Sequence, residues 1–127
     1  MMKRIITAVV FIFIGISLAL AGYFNLRYIC SDMNDSLKEV ISCAEEENKQ
    51  SVTDSTKTAK EKWDKKKSLL GVYTNHSEMD DLQIIMKNLV RLAEDESYDE
   101  LIDNCYECIY HFEHIRETET PSFGNVF

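Results

Sequence analysis

Residues that interrupt regular secondary structure are scarce in this chain of 127 residues, which contains one proline and four glycines. The proline, Pro121, stands near the C-terminus, and Gly71 is the only glycine between Phe24 and the C-terminal tail. Because proline and glycine commonly end helices and form turns, their scarcity favours long helices with few breaks. The composition therefore predicts an all-α fold.

Sequence motifs typical of enzymes are also lacking, including a glycine-rich phosphate loop, G-x-S-x-G and H-E-x-x-H. A basic surface is lacking as well. Of the 14 Lys and Arg residues, 12 follow Phe24 together with all 22 Asp and Glu residues, which leaves that part with a net charge of about −10. This charge argues against binding to nucleic acid and to anionic lipid through a basic face. We therefore expect a non-enzymatic protein without a cofactor.

One long hydrophobic run is present instead. Residues 5–24 contain no charged side chain and directly follow Lys3 and Arg4. A helix of 20 residues is about 30 Å long, which is roughly the thickness of the hydrocarbon core of a bilayer. By the positive-inside rule, residues 1–4 are predicted to be cytoplasmic and the chain after residue 24 extracytoplasmic. The run thus predicts a single-pass protein of the cell membrane.

A cleaved secretory signal is the alternative interpretation of this run. Ala19-Leu20-Ala21 resembles the small-residue site at which signal peptides are cleaved. Cleavage after Ala21 would release the same extracytoplasmic domain without its anchor. The length of the run favours an uncleaved anchor.

Residues 25–119 are predicted to form an antiparallel up-down four-helix bundle, because four helical patterns are separated by short connections. The first helix is expected to continue from the anchor to about Asn48. A first turn is predicted at 51–56, where helix formers are poor. The second helix would end near Thr74 and the third near Glu94, and the fourth would run to about Thr118.

Helical spacing also predicts which side chains face the core. The predicted core positions of the first and second helices are Leu26, Cys30, Met33, Leu37, Val40, Ala44, Ala59, Trp63, Leu70 and Tyr73. Those of the third and fourth are Met79, Leu82, Ile85, Met86, Leu89, Leu92, Leu101, Ile102, Cys105, Cys108, Ile109, Phe112 and Ile115. Capping boxes are predicted at 77–80 and 97–100, where the third and fourth helices would begin.

Two histidines and two carboxylates form a candidate metal site. Pairing the third and fourth helices about the turn near residue 97 places His76 level with Glu117, with His114 one turn away. Together with Asp80, these side chains would gather at the membrane-proximal end and offer ligands suited to zinc or another divalent metal. The alternative is that His76 helps to close a turn and that His114 pairs with a carboxylate at a helix end.

A four-residue metal string of Cys105, Cys108, His111 and His114 is excluded, although its members are spaced at intervals of three. Each step of three residues falls about 60° short of a full helical turn, so the four side chains span about 180° of the helix surface. One ion therefore cannot contact all four. Only pairs such as His111 and His114 remain as ligand candidates.

The four cysteines suggest a disulfide, because the domain is expected outside the cytoplasm. Counting from the predicted turns places Cys43 on the first helix level with Cys105 on the fourth. A bridge from Cys43 to Cys105 or Cys108 is therefore predicted. The alternative is that all four cysteines are small core residues.

The C-terminal tail, residues 120–127, is predicted to dock. It ends in apolar side chains, whereas a free chain end is normally polar. It would dock either in a groove between helices of its own bundle or on a partner membrane protein or the membrane interface. The candidate contact residues are Pro121, Phe123, Val126 and Phe127.

The chain resembles a known family through its basic N-terminus with a single span, Trp63, and the segments HSEMD (76–80), HIRE (114–117) and PSFGNVF (121–127). The family is domain of unknown function 4363, small membrane-anchored proteins of Gram-positive bacteria. The resemblance implies a helical domain outside the membrane that acts beside another membrane protein, and it implies no reaction.

We therefore expect an accessory or interaction module for an integral membrane protein. The alternative is an extracytoplasmic sensor domain that binds a small ligand or a metal. Long apolar seams on four helices could also support a homodimer.

Overall fold

Four α-helices make up the protein in a computed structural model that describes residues 2–119. They are α1 (Met2–Glu45), α2 (Lys49–Tyr73), α3 (His76–Glu94) and α4 (Tyr98–Glu119), and the described residues contain no strand. α1 packs against α2 and α4, and α3 packs against the same two helices. The predicted all-α fold is confirmed.

α1 consists of two parts with different surroundings. Large apolar side chains between residues 5 and 24 are exposed, for example Phe13 at 72% and Val10 at 49%. From Leu26 onward the same helix contributes buried side chains to the bundle. Within residues 2–119, α1 is the one helix long and apolar enough to cross a membrane. Its apolar part is compatible with a single-pass anchor.

The core is formed by the predicted apolar positions of all four helices. In α1 every predicted core position is buried. Trp63 and Phe112 are the largest fully buried side chains, and their rings meet edge to face with centroids 6.1 Å apart. The indole Nε1–H of Trp63 donates to Gln83 Oε1 at 2.8 Å, so its polar atom is satisfied. Met79, Ile102 and Ile109 are only partly buried against this core, and the side chain of Tyr73 lies outside the described part.

The first predicted turn is wrong. Residues 51–56 lie inside α2, and the chain turns at 46–48 instead. Asn48 caps α2, because its side chain accepts a hydrogen bond from the Ser51 backbone N–H at 3.2 Å. Val52 and Thr56 are 0% and 2% exposed. Burial of this segment against the core therefore outweighs the weak helix propensity of its serines and threonines.

The predicted capping box at 77–80 is also wrong, since α3 begins two residues earlier. Asn75 is its N-cap, and Asn75 Oδ1 accepts a hydrogen bond from the Glu78 backbone N–H at 2.8 Å. An asparagine satisfies the free N–H groups of a first turn as well as serine does. Glu78 is the third residue after this cap, and its carboxylate contacts His111 of α4.

The connection between α3 and α4 follows the prediction more closely. Glu96 has φ 57°, a left-handed conformation. Its N–H donates to Ala93 O at 3.3 Å, and the N–H of Ser97 donates to Leu92 O at 3.0 Å. These two bonds satisfy the last carbonyls of α3 as in a Schellman motif, with glutamate in the place usually held by glycine. α4 begins at Tyr98, directly after the predicted cap.

Replacing Phe112 tests the core. We expect Phe112→Ala to lower the free energy of unfolding by about 3–5 kcal/mol, because it removes a fully buried ring and leaves a cavity beside Trp63. Tyr106→Ala, on the same helix at a side chain that is 56% exposed, should change it by less than about 0.5 kcal/mol. Urea unfolding of the full chain in detergent, followed by the fluorescence of the single tryptophan, measures both. Equal losses would contradict the proposed packing.

Candidate functional site

One carboxylate lies between two histidines at the beginning of α3. Glu78 Oε1 is 2.7 Å from His111 Nδ1, and Glu78 Oε2 is 3.4 Å from His114 Nδ1. The side chains of Glu78 and His111 are 13% and 16% exposed, whereas that of His114 is 53% exposed. We call Glu78, His111 and His114 the carboxylate–histidine cluster. It links the first turn of α3 to the C-terminal part of α4.

Helix geometry produces this arrangement. His111 and His114 are three residues apart and share one edge of α4. The Asn75 cap starts α3 so that Glu78 falls in its first turn, where a negative charge also interacts favourably with the helix dipole. Tyr110 lies beside these histidines on α4, and its ring stacks on that of His114 with 6.4 Å between the ring centroids.

A second polar network joins α4 to α1. Asn34 Nδ2 donates to Glu113 Oε1 at 2.9 Å, and Arg116 Nη2 donates to Glu113 Oε2 at 2.6 Å. Asn34 is 4% exposed, and its Oδ1 atom is buried without a hydrogen-bond partner in the described part of the chain. An amide held in this way inside a helix interface restricts which residues of α1 and α4 can be paired.

The predicted metal residues are not brought together as a set. His76 and Asp80 are exposed near the beginning of α3, Glu117 is exposed on α4, and of the four only His114 joins the cluster described above. Within residues 2–119, no group of three or more His, Cys, Asp or Glu side chains is placed to hold a metal ion. The pairing of His114 with a carboxylate matches the alternative interpretation instead. The four-residue metal site stays a prediction without structural support.

All four cysteines are free and buried, so the expected bridge from Cys43 to Cys105 or Cys108 is not formed. The reason is that the thiols on α1 and α4 face different neighbouring helices. The Cys43 thiol lies near Glu39 on a groove between α1 and α2, whereas Cys108 Sγ is 3.9 Å from Met86 Sδ of α3. The cysteines act as small core residues, which was the alternative interpretation.

The environment of these thiols makes them poor nucleophiles. Burial raises the pKa of Cys30 to about 11 and that of Cys105 to about 12. The pKa of Cys108 is raised further, again mainly by burial. Because the thiolate is the reactive form, these groups remain protonated and unreactive near neutral pH.

Glu78 is the site residue that sequence reasoning missed. The sequence contains 22 acidic residues, so none stands out by type alone. In the capping box predicted at 77–80 the bonding residues were Ser77 and Asp80, so that pattern gave Glu78 no role of its own. The sequence offered one sign of this site. His111 and His114 are three residues apart on one edge of a helix, where both can contact the same side chain of the neighbouring helix.

The features above define a class: a small all-helical bundle protein whose first helix begins with one apolar segment long enough to cross a membrane. Comparison with known proteins makes this more specific. The sequence model of the family described as "Domain of unknown function (DUF4363)" matches residues 20–126, and the chain belongs to that family. The resemblance noted from the sequence is thereby confirmed. No curated protein and no solved structure matches the chain.

The predicted docking residues Pro121, Phe123, Val126 and Phe127 lie outside the described residues. They fall within the family match except for Phe127. Docking of the tail through these residues therefore remains a prediction.

A double-mutant cycle tests the carboxylate–histidine cluster. We expect Glu78→Met and His111→Leu to be coupled by about 1 kcal/mol or more, because each change removes one side of the 2.7 Å contact between two partly buried polar groups. The free energy of unfolding of each single variant and of the double variant gives this coupling.

The matched control replaces Asp80, which is exposed on the same helix as Glu78, by asparagine and combines it with His111→Leu. Its coupling should be zero within error. A cycle with Glu78 that also gives zero would show that the 2.7 Å contact contributes nothing to stability.

Proposed function

We propose that this chain is a single-pass membrane protein whose helical bundle is an accessory or interaction module for another membrane protein. The observation that supports this most directly is the division of α1. Its large aliphatic and phenylalanine side chains between residues 5 and 24 are exposed, whereas from Leu26 onward apolar side chains three or four residues apart are packed in the core. An exposed apolar surface of this size is costly in water and stable in lipid.

Charge supports an orientation with the N-terminus in the cytoplasm. Lys3 and Arg4 are the only charged residues before the apolar run, and basic residues are retained on the cytoplasmic side. The bundle of residues 25–119 is then extracytoplasmic. By length and composition the apolar run is also compatible with a signal sequence. If it is cleaved, the released bundle keeps the same core.

Contacts between helices support an antiparallel up-down course. Along α3 and α4, Glu78 contacts His111 and Met86 contacts Cys108, so an increasing residue number in one helix accompanies a decreasing number in the other. Lys49 at the beginning of α2 forms an ion pair with Glu96 between α3 and α4. This course leads α4 back toward the apolar part of α1, and it brings the carboxylate–histidine cluster to the membrane side.

An interaction role is supported by apolar residues of the chain that do not belong to the core of the bundle. Apolar side chains of the four helices form the core of the bundle, whereas the tail contains further apolar residues, Phe123, Val126 and Phe127. A short apolar segment is suited to contact a neighbouring membrane protein.

Orientation can be measured by labelling introduced cysteines with a membrane-impermeant maleimide. We expect Glu46→Cys, in the exposed turn between α1 and α2, to react in intact cells and Met2→Cys to react only after permeabilisation. The native cysteines are buried, so their background reaction should be low. Labelling of Met2→Cys in intact cells would contradict the orientation.

The interaction role can be tested by capture from solubilised membranes. The full chain should retain one specific integral membrane protein, and deletion of residues 121–127 should remove it because the apolar contact is lost. Tyr106→Ser, an exposed change away from the tail, is the matched control and should retain the partner. Equal recovery with and without the tail, or recovery of a second copy alone, would refute docking of a partner through the tail.

A further inference from the structure

The turn between α2 and α3 lies at the level where the apolar part of α1 ends. Lys62 Nζ of α2 contacts Asp32 Oδ1 and Ser36 Oγ of α1, so this part of α2 is level with residues 32–36. From Lys62 to its end at Tyr73, α2 continues for about 16 Å at 1.5 Å per residue. In the antiparallel course proposed above, the same distance back along α1 reaches residues 21–25.

The sequence around this turn is free of charge. Residues 68–77, which we call the α2–α3 tip, form the longest stretch after Phe24 without Asp, Glu, Lys or Arg. The same part of the chain otherwise contains 12 basic and 22 acidic residues. Surface turns are normally polar, so an uncharged one in such a charged domain indicates surroundings other than bulk water.

Two apolar side chains of the α2–α3 tip are not used by the core. Val72 is 75% exposed and Leu69 is 37% exposed, and their spacing of three residues places them on one side of α2. Leu70 between them is fully buried, so the core position of this turn is already filled. Among the described residues after Phe24, Val72 is the most exposed large apolar side chain.

Neighbouring side chains indicate that this level is the edge of the hydrocarbon. Tyrosine is enriched at the headgroups of a bilayer, and Tyr23 and Tyr28 of α1 lie at and just beyond this level. Arg27, the first charged residue after the apolar run, donates from Nη1 to the Tyr23 hydroxyl at 3.3 Å. On α2 the last charges before the tip are three lysines, 65–67, about 8–10 Å from Val72 along the helix axis. A headgroup layer is about 5–8 Å thick, so these lysines would remain hydrated while the tip does not.

We propose that the α2–α3 tip inserts into the headgroup region of the membrane that α1 crosses, with Val72 and Leu69 against the outer ends of the acyl chains. This contact rests on the single-pass anchor proposed above, and it holds for either orientation of that anchor. Burial of apolar surface drives it. The charges that flank the tip, Lys67 and Glu78, have opposite signs, so anionic lipid is not required.

The consequence is a bundle fixed to the bilayer at two places. α1 alone leaves the bundle free to rotate about the axis of its own anchor. A second contact on α2 and α3 removes this rotation, so that the same face of the bundle is always turned toward a neighbouring membrane protein.

Nitroxide labels measure the depth of the tip. The full chain with Val72→Cys is labelled and placed, one copy per disc, in nanodiscs of phosphatidylcholine. Collisions with oxygen, which is concentrated in lipid, are compared with collisions with a water-soluble nickel chelate. We expect oxygen to be strongly favoured at this label. The native cysteines are buried, so labelling should be confined to the introduced one.

Two further positions serve as matched controls. Ile84→Cys replaces another exposed apolar side chain, 61% exposed and about 13 Å farther along α3 from the turn, and its label should favour the chelate. Phe13→Cys lies inside the apolar run, and its label should favour oxygen. Leu69→Cys gives a second measurement of the tip if the label at Val72→Cys disturbs folding.

The outcomes separate this contact from the anchor on which it rests. A tip label that favours the chelate while Phe13→Cys favours oxygen would overturn the insertion and leave the anchor in place. Access of the chelate to both labels would overturn both. A tip label shielded from both reagents would show that protein covers Val72 in place of lipid, and it would also overturn the insertion.

Discussion

The continuity of α1 is the constraint on which the rest of the structure depends. One helix of 44 residues, about 66 Å long at 1.5 Å per residue, is apolar on every side in its first part and apolar along one seam in its second. Its i to i−4 hydrogen bonds continue between the two parts, so the direction in which α1 leaves the apolar segment also sets the direction of the bundle axis. α2 and α4 pack on the second part, and α3 closes the core between them.

Polar contacts on both flanks of α1 then determine its register. On one flank Lys62 Nζ lies 3.1 Å from Asp32 Oδ1 and 2.8 Å from Ser36 Oγ. On the other flank Asn34 contacts Glu113. An apolar seam alone permits a shift of one heptad at modest cost, whereas such a shift would leave these polar groups unpaired. The apolar side chains supply most of the stability, and the polar ones select the pairing.

The carboxylate–histidine cluster lies at the beginning of α3, where Glu78 is in the first turn. It holds α3 and α4 together through paired polar groups, because Glu78 contacts both His111 and His114. A ligand site needs groups whose bonding capacity is not already used, so this arrangement is better suited to fixing the helix pair than to binding a ligand.

Local periodicity in the sequence was sufficient for the four helices, the α1 seam from Leu26 to Ala44 and the burial of Trp63. These features depend on residues three or four apart in one helix, which spacing reveals directly. It was not sufficient for the start of α2, because the burial of Val52 and Thr56 depends on the other helices that pack against α2.

Only the tertiary structure decided that Glu78 pairs with His111 and that Cys43 faces α2 instead of α4. Both depend on the rotation of each helix about its own axis, where a change of a few tens of degrees moves a side chain from one neighbour to the next. Rotation is set by the packing of the whole core, and no single segment of the sequence contains it.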